Sequence, residues 1–187
     1  GIDIWEVIEA AKTKPFGYMA FYPGPGLGGH CIPIVPFYLS WPARAFEVET
    51  KFIELAGEVN RAMPRIVVQA LVDALSARQA KAINGAKILV LGAAYKKNVD
   101  DTRESPALHI IDMLQKMGAV VSYFDPFVPE IPGTREYPHL AGLKSINFDE
   151  ATVSRFDAAL IATDHANVDY GALVKWSKLV VDTRNAT

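Results

Sequence analysis

Four short apolar runs, over 87–91, 120–124, 158–162 and 179–182, alternate with stretches of helical period in this chain. Strands separated by helices do not pair as tight hairpins. They form a parallel sheet with helices across its faces. The segment from about Ile83 is therefore expected to be a small parallel, Rossmann-like α/β domain. Its strands end at Gly92, Asp125, Thr163 and Thr183, and these ends line the edge where open α/β sheets bind ligands. Between the first two strands, Ser105-Pro106 reads as an N-cap and first helical residue. Ala107, Ile110, Ile111, Leu114 and Met117 line one helix face, and Gly118 closes it. Shorter helices are expected over 148–155 and 168–176.

The first half reads differently. From about Ala45 to Ala80, Phe52, Leu55, Val59, Met63, Ile66, Ala70 and Leu71 recur at three- to four-residue spacing. A single helix of that length would extend ~50 Å, more than one small domain needs. Pro64 interrupts it, so a kink or break is expected there. Its apolar stripe predicts a homodimer contact. Gly1 to Ala11 reads as a helix already under way, as if cut from a longer chain. Residues 13–42 are rich in Pro, Gly and aromatics, with only a short helix expected over Phe37–Trp41. The division expected is 1–82, a long-helix central or dimerisation segment, and 83–187, the α/β domain.

With 50% hydrophobic and 21% charged residues, the composition is that of a soluble globular chain. A net charge of −2 argues against nucleic acid or an anionic membrane surface as partner. No apolar run approaches the ~20 residues of a membrane span. The one cysteine forms no internal disulfide, no secretory leader is read, and no metal ligand set is expected. A cytoplasmic setting follows as the expectation.

That cysteine follows a glycine loop, Gly24-Pro25-Gly26-Leu27-Gly28-Gly29-His30-Cys31-Ile32-Pro33. Glycines let backbone N–H groups approach a ligand closely, and a thiol behind such a loop is a candidate covalent nucleophile. His30 is read as packing rather than as a base. At the sheet edge, Gly92-Ala93-Ala94-Tyr95-Lys96-Lys97 lacks the G-x-G-x-x-G of a dinucleotide site. Asp125 ends its strand as a ribose-binding acid would. Lys96, Lys97, Arg103 and Arg184 offer cations there, a set suited to phosphates or carboxylates.

Together, residues 24–33, the run Ala94-Tyr95-Lys96-Lys97-Asn98-Val99-Asp100-Asp101-Thr102-Arg103-Glu104-Ser105-Pro106 and the closing Asp182-Thr183-Arg184-Asn185 resemble the UDP-glucose/GDP-mannose dehydrogenase family. The Phe21-to-Gly26 wording is most similar to its UDP-N-acetylmannosamine dehydrogenase branch. The resemblance implies oxidation of the C6 alcohol of a UDP-sugar to a carboxylate through a Cys31 thioester. It implies two NAD per turnover, bound by an N-terminal domain not present in this chain. It also implies substrate contacts from Tyr22, Gly24, Gly26, Gly28, Gly29, Lys96 and Arg184, with Lys14 reaching a neighbouring subunit's sugar. One position departs from the family's pattern. The aspartate expected four residues after the cysteine, which positions the hydrolytic water, is Val35. An engineered trap, a sequence variant and a diverged enzyme all fit that departure. The alternative function is a catalytically silent UDP-sugar-binding and dimerisation module.

Overall fold

A computed structural model describes residues 1–187. Four parallel strands, β1 (Lys87–Leu91), β2 (Val120–Phe124), β3 (Ala158–Ile161) and β4 (Val180–Asp182), lie in the order β2-β1-β3-β4. Ile88 pairs with Val121 on one side and Ala158 on the other. β1 is central and buried on both faces, which is why it reads as a continuous apolar run. Ile88 and Val90 face a core shared with α3 (Lys51–Gln79) and α4 (Pro106–Lys116). Leu89 and Leu91 face the opposite layer, where Val153 of α5 (Glu150–Val153) and Leu173 of α6 (Tyr170–Trp176) close the second core. The result is the expected α/β sandwich with its strand ends on one edge.

Helix starts follow the capping chemistry. Ser105 Oγ accepts the Ala107 N–H at 3.3 Å, with Pro106 first in α4. Asp149 and Asp169 cap α5 and α6 in the same way.

The two helices of the first half correct the sequence reading. α3 runs unbroken through Pro64 for 29 residues and begins at Lys51, after a 3₁₀ turn over Arg44–Phe46. Pro64 removes one N–H and so frees the carbonyl of Asn60. Gly26 packs directly over that carbonyl, where a Cβ would come within 3.3 Å. α2 covers Cys31–Ala43, far more than the short helix expected after Pro36. Pro33 falls in its first turn, where a missing N–H costs no intrahelical bond. The Ser40 hydroxyl donates to the Pro36 carbonyl at 3.1 Å. The helix under way at the start is α1 (Ile4–Lys12), capped by Asp3, with only Ile8 buried.

α3 leads two lives along its length. Val67, Val68, Leu71 and Leu75 are buried in the main core. Phe52, Leu55, Val59 and Ile66 are exposed on its first half, Phe52 at 88%. Twenty of the 24 exposed large apolar side chains precede Val67, all but Met117, Val120, Phe127 and Val174. No helix is long and apolar enough to cross a membrane.

Candidate active site

Cys31 is exposed and opens α2, directly after Gly29-His30. Its sulfur thus stands at a helix N-terminus, the end whose free N–H groups favour negative charge. The loop before it is docked on the edge where the strands end. The Gly29 N–H donates to the Arg103 carbonyl at 2.9 Å. A Cβ at Gly28 would lie 2.8 Å from the Glu104 carbonyl oxygen, and one at Gly29 3.0 Å from the Tyr95 ring. A side chain at Gly24 would collide with the Arg184 guanidinium. These glycines, with Gly26 over Asn60, make room for the protein's own second motif. The cysteine loop, the 94–106 run and the chain end at Arg184 therefore form one constellation.

The cations at this edge are not equivalent. Arg184 Nε donates to Asp164 Oδ1 at 2.9 Å, and Lys97 Nζ lies 3.3 Å from Asp164 Oδ2. Burial pushes the Asp164 carboxyl up, but the Arg184 hydrogen bond and charge, with help from Lys97, hold it below its usual range. Arg103 is spent on Asp101, two residues earlier, through Nε and Nη2. Lys96 is exposed and makes no ion pair.

Tyr22 and Lys14 lie apart from this set in their contacts. The Tyr22 hydroxyl donates to Glu9 at 2.6 Å and accepts from Lys12 at 3.2 Å, and its ring stacks on Trp5 of α1. Lys14 Nζ sits 5.2 Å above the Phe16 ring. Val35 lies one turn beyond Cys31 on α2 and faces an apolar cavity of about 1150 Å³ between α2, α3 and the start of α4. Ile32, Leu39, Phe52 and Pro106 share its lining.

Asp125 is not a ribose ligand. Its Oδ2 accepts the N–H groups of Ala93 and Ala94 at 2.7 and 3.0 Å, and its Oδ1 those of Phe127 and Val128 at 2.8 and 3.0 Å. His165 Nε2 lies 3.1 Å from Oδ2. Burial pushes this carboxyl up, yet the His165 bond and the Ala94 and Phe127 amides outweigh it and hold it below its usual range. Gly92 packs directly on Thr163. The amides of Gly92, Ala93, Ala94 and Tyr95 and the Asp125 acid are all taken within the fold, so the start of this turn offers neither a pyrophosphate nor a ribose the contacts of a dinucleotide such as NAD. Sequence reasoning missed Asp164 and His165. The one signal was their place directly after the strand end at Thr163.

Comparison with known proteins matches the chain in two parts, one containing each motif. A model of the central domain of the UDP-glucose/GDP-mannose dehydrogenase family matches residues 1–62, and one of the family's UDP binding domain matches residues 89–187. UDP-N-acetyl-D-mannosamine dehydrogenase of Methanococcus maripaludis is 34% identical over 99% of this chain, which spans 41% of that protein. Among solved structures, UDP-D-ManNAc dehydrogenase of Pyrococcus horikoshii superposes on the whole chain with a TM-score of 0.81 at 30% identity. NDP-N-acetyl-D-galactosaminuronic acid dehydrogenase of Methanosarcina mazei does so at 0.83 and 26%. The chain again spans 41% of each. Since the first match carries the Cys31 loop and the second carries the sheet edge on which it docks, the chain belongs to the UDP-glucose/GDP-mannose dehydrogenase family.

Proposed function

We propose that these residues form the substrate-binding and covalent-capture part of an NAD-dependent UDP-sugar 6-dehydrogenase. Residues 83–187 hold the UDP end, and residues 1–82 supply the thiol and a dimer contact. The observation that carries this reading is the docking of the Cys31 loop on the cationic edge through Gly24–Arg184 and Gly29–Arg103. A UDP-sugar whose diphosphate meets Lys96 and Arg184 lays its sugar along that loop toward the thiol. The C6 alcohol first loses its proton and a hydride to an acceptor held outside these residues, and the Cys31 thiol adds to the resulting C6 aldehyde. A sulfur–carbon bond forms, the carbonyl electron pair moves to oxygen, and that oxygen takes the thiol's proton. Oxidising this adduct to a thioester needs a hydride acceptor held outside these residues. Water then splits the thioester, releasing the C6 carboxylate and restoring the thiol. In this reading Lys14 reaches the sugar of the partner subunit, and the setting is cytoplasmic.

Val35 favours a second reading, a UDP-sugar-binding and dimerisation module without turnover, because valine can neither take a proton nor orient water. The primary test joins the two halves of the site. Saturating UDP-N-acetylmannosamine should slow alkylation of Cys31 by iodoacetamide, and NAD should not. Arg184→Ala should abolish the protection. Alkylation unaffected by the UDP-sugar would separate the thiol from the nucleotide site and sink the reading.

A further inference from the structure

We infer that His165 is a positioning residue for the substrate cations: it joins the buried Asp125 carboxylate to the backbone of the 95–98 loop and thereby fixes where Lys96 and Lys97 stand. The inference rests on the UDP-sugar reading for its consequence in binding, and on geometry alone for the loop.

The imidazole is 1% exposed and touches bonding partners at both nitrogens. Nδ1 accepts the Asn98 N–H at 3.0 Å. A backbone amide is only a donor, so Nδ1 carries no proton. The ring is therefore the Nε2–H tautomer, and Nε2 donates to Asp125 Oδ2 at 3.1 Å. The same Oδ2 holds Ala93 and Ala94 directly. One carboxylate thus anchors both ends of the segment carrying the lysines, at Ala93-Ala94 by itself and at Asn98 through the imidazole.

The attachment at Asn98 is reciprocal. Asn98 Oδ1 accepts the Ala166 N–H at 2.9 Å, so the 97–98 and 165–166 backbones are clamped together by two bonds. Asn98 sits at φ +61°, a left-handed conformation that asparagine tolerates better than most residues. The neighbouring Asp164 pairs with Lys97 from the same turn and with Arg184 from the chain end. The Phe127 ring covers the imidazole at 5.0 Å, and the Tyr170 hydroxyl donates to the His165 carbonyl at 3.2 Å. These contacts make the ring a spacer of fixed length between a buried acid and the 95–98 loop.

Two substitutions separate the nitrogens. Asparagine places an acceptor near Nδ1 and loses the Asp125 bond. Glutamine places a donor near Nε2 and leaves the Asn98 N–H unpaired. In His165→Gln, amide hydrogen exchange over residues 95–98 should accelerate, and calorimetry should show UDP binding about tenfold weaker, about 1.4 kcal/mol. His165→Asn should keep exchange protection at 95–98 and bind UDP within about twofold of the parent, even though it loses global stability in urea. A purely structural histidine would give the two variants parallel losses. Unchanged exchange at 95–98 in His165→Gln, or equal loosening in both variants, overturns the inference. If the parent chain binds no UDP while His165→Gln alone loses protection, the positioning role is supported and the UDP reading falls. Should His165→Gln fail to fold, NMR on the parent tests the same bond: the His165 nitrogen shifts should report the Nε2–H tautomer, and the Asn98 amide should be protected from exchange. An Nδ1–H ring, or an Asn98 amide that exchanges like an exposed one, would overturn the role.

Discussion

At the scale of single residues, the site is decided by what stands one helical turn from the thiol. Val35 shares the Cys31 side of α2 and lines the neighbouring cavity, and its side chain can neither take a proton from water nor orient one. An acyl group on Cys31 should therefore persist. With Cys31 acetylated by p-nitrophenyl acetate, intact-mass measurements should show Val35→Asp losing the acyl group on the order of 10²-fold faster than the parent. Equal rates would mean that water is activated from elsewhere. Asp125 makes the complementary case, a carboxylate used for structure. Its folded-state pKa is depressed, so its stabilisation is complete above the ordinary carboxylate value. It is lost as pH falls through the folded value, below roughly pH 4. Asp125→Asn should cost about 3 kcal/mol at neutral pH, because buried donors lose a charged acceptor. Urea midpoints taken from pH 7 downward should converge for parent and variant in acid. A constant gap across that range would show that the carboxylate is not ionised in the fold. None of this partnership was visible in the sequence. Asp125 and His165 are 40 residues apart, and only the β2-β1-β3 order brings their strand ends together.

At the scale of elements, what was legible followed local rules. The strands, the Ser105-Pro106 start and the common edge of the strand ends were all readable, because alternation and capping are written in neighbouring residues. The errors came from proline. Residues 13–42 looked irregular because three prolines fall inside what is α2, yet Pro33 sits where no intrahelical N–H is used. Pro64 looked like a break, yet α3 continues because the packing of Val67, Val68, Leu71 and Leu75 outweighs one lost bond, and Gly26 covers the freed carbonyl. The role of the glycine loop was half legible. Close approach was expected toward a ligand, and the loop also makes it within the chain, where the neighbours at Gly24, Gly28 and Gly29 are Arg184, Glu104 and Tyr95. The two halves of α3 make a separable prediction. Leu71→Ala, at a fully buried position, should lower unfolding free energy by about 3 kcal/mol. Phe52→Ala, on the exposed half, should change it by under about 0.5 kcal/mol when measured on dilute protein. Similar losses from both in urea titrations would mean that the helix packs along its whole length within one chain.

At the scale of the whole molecule, apolar exposure is concentrated in the first half of the chain, before Val67. Phe52, Leu55, Val59 and Ile66 follow one another at intervals of three, four and seven residues, the spacing of a helix–helix seam. Nearby, Trp41 is 80% and Phe46 78% exposed. Monomeric proteins rarely carry contiguous apolar patches beyond a few hundred Å². A two-fold pairing along the first half of α3 would cover the stripe with its own copy, each helix supplying the same residues to the other. The α/β half would face outward, its exposed apolar residues being only Met117, Val120, Phe127 and Val174. The chain should therefore sediment as a dimer at micromolar concentration, with a melting temperature that rises with protein concentration as mass action requires. Added salt should leave the dimer intact, because its contacts are apolar rather than ionic. Charging the seam with Leu55→Glu should produce monomers that keep the α/β core folded and still bind UDP. A parent chain that stays monomeric at high micromolar concentration would overturn the pairing, as would a Leu55→Glu variant that sediments like the parent.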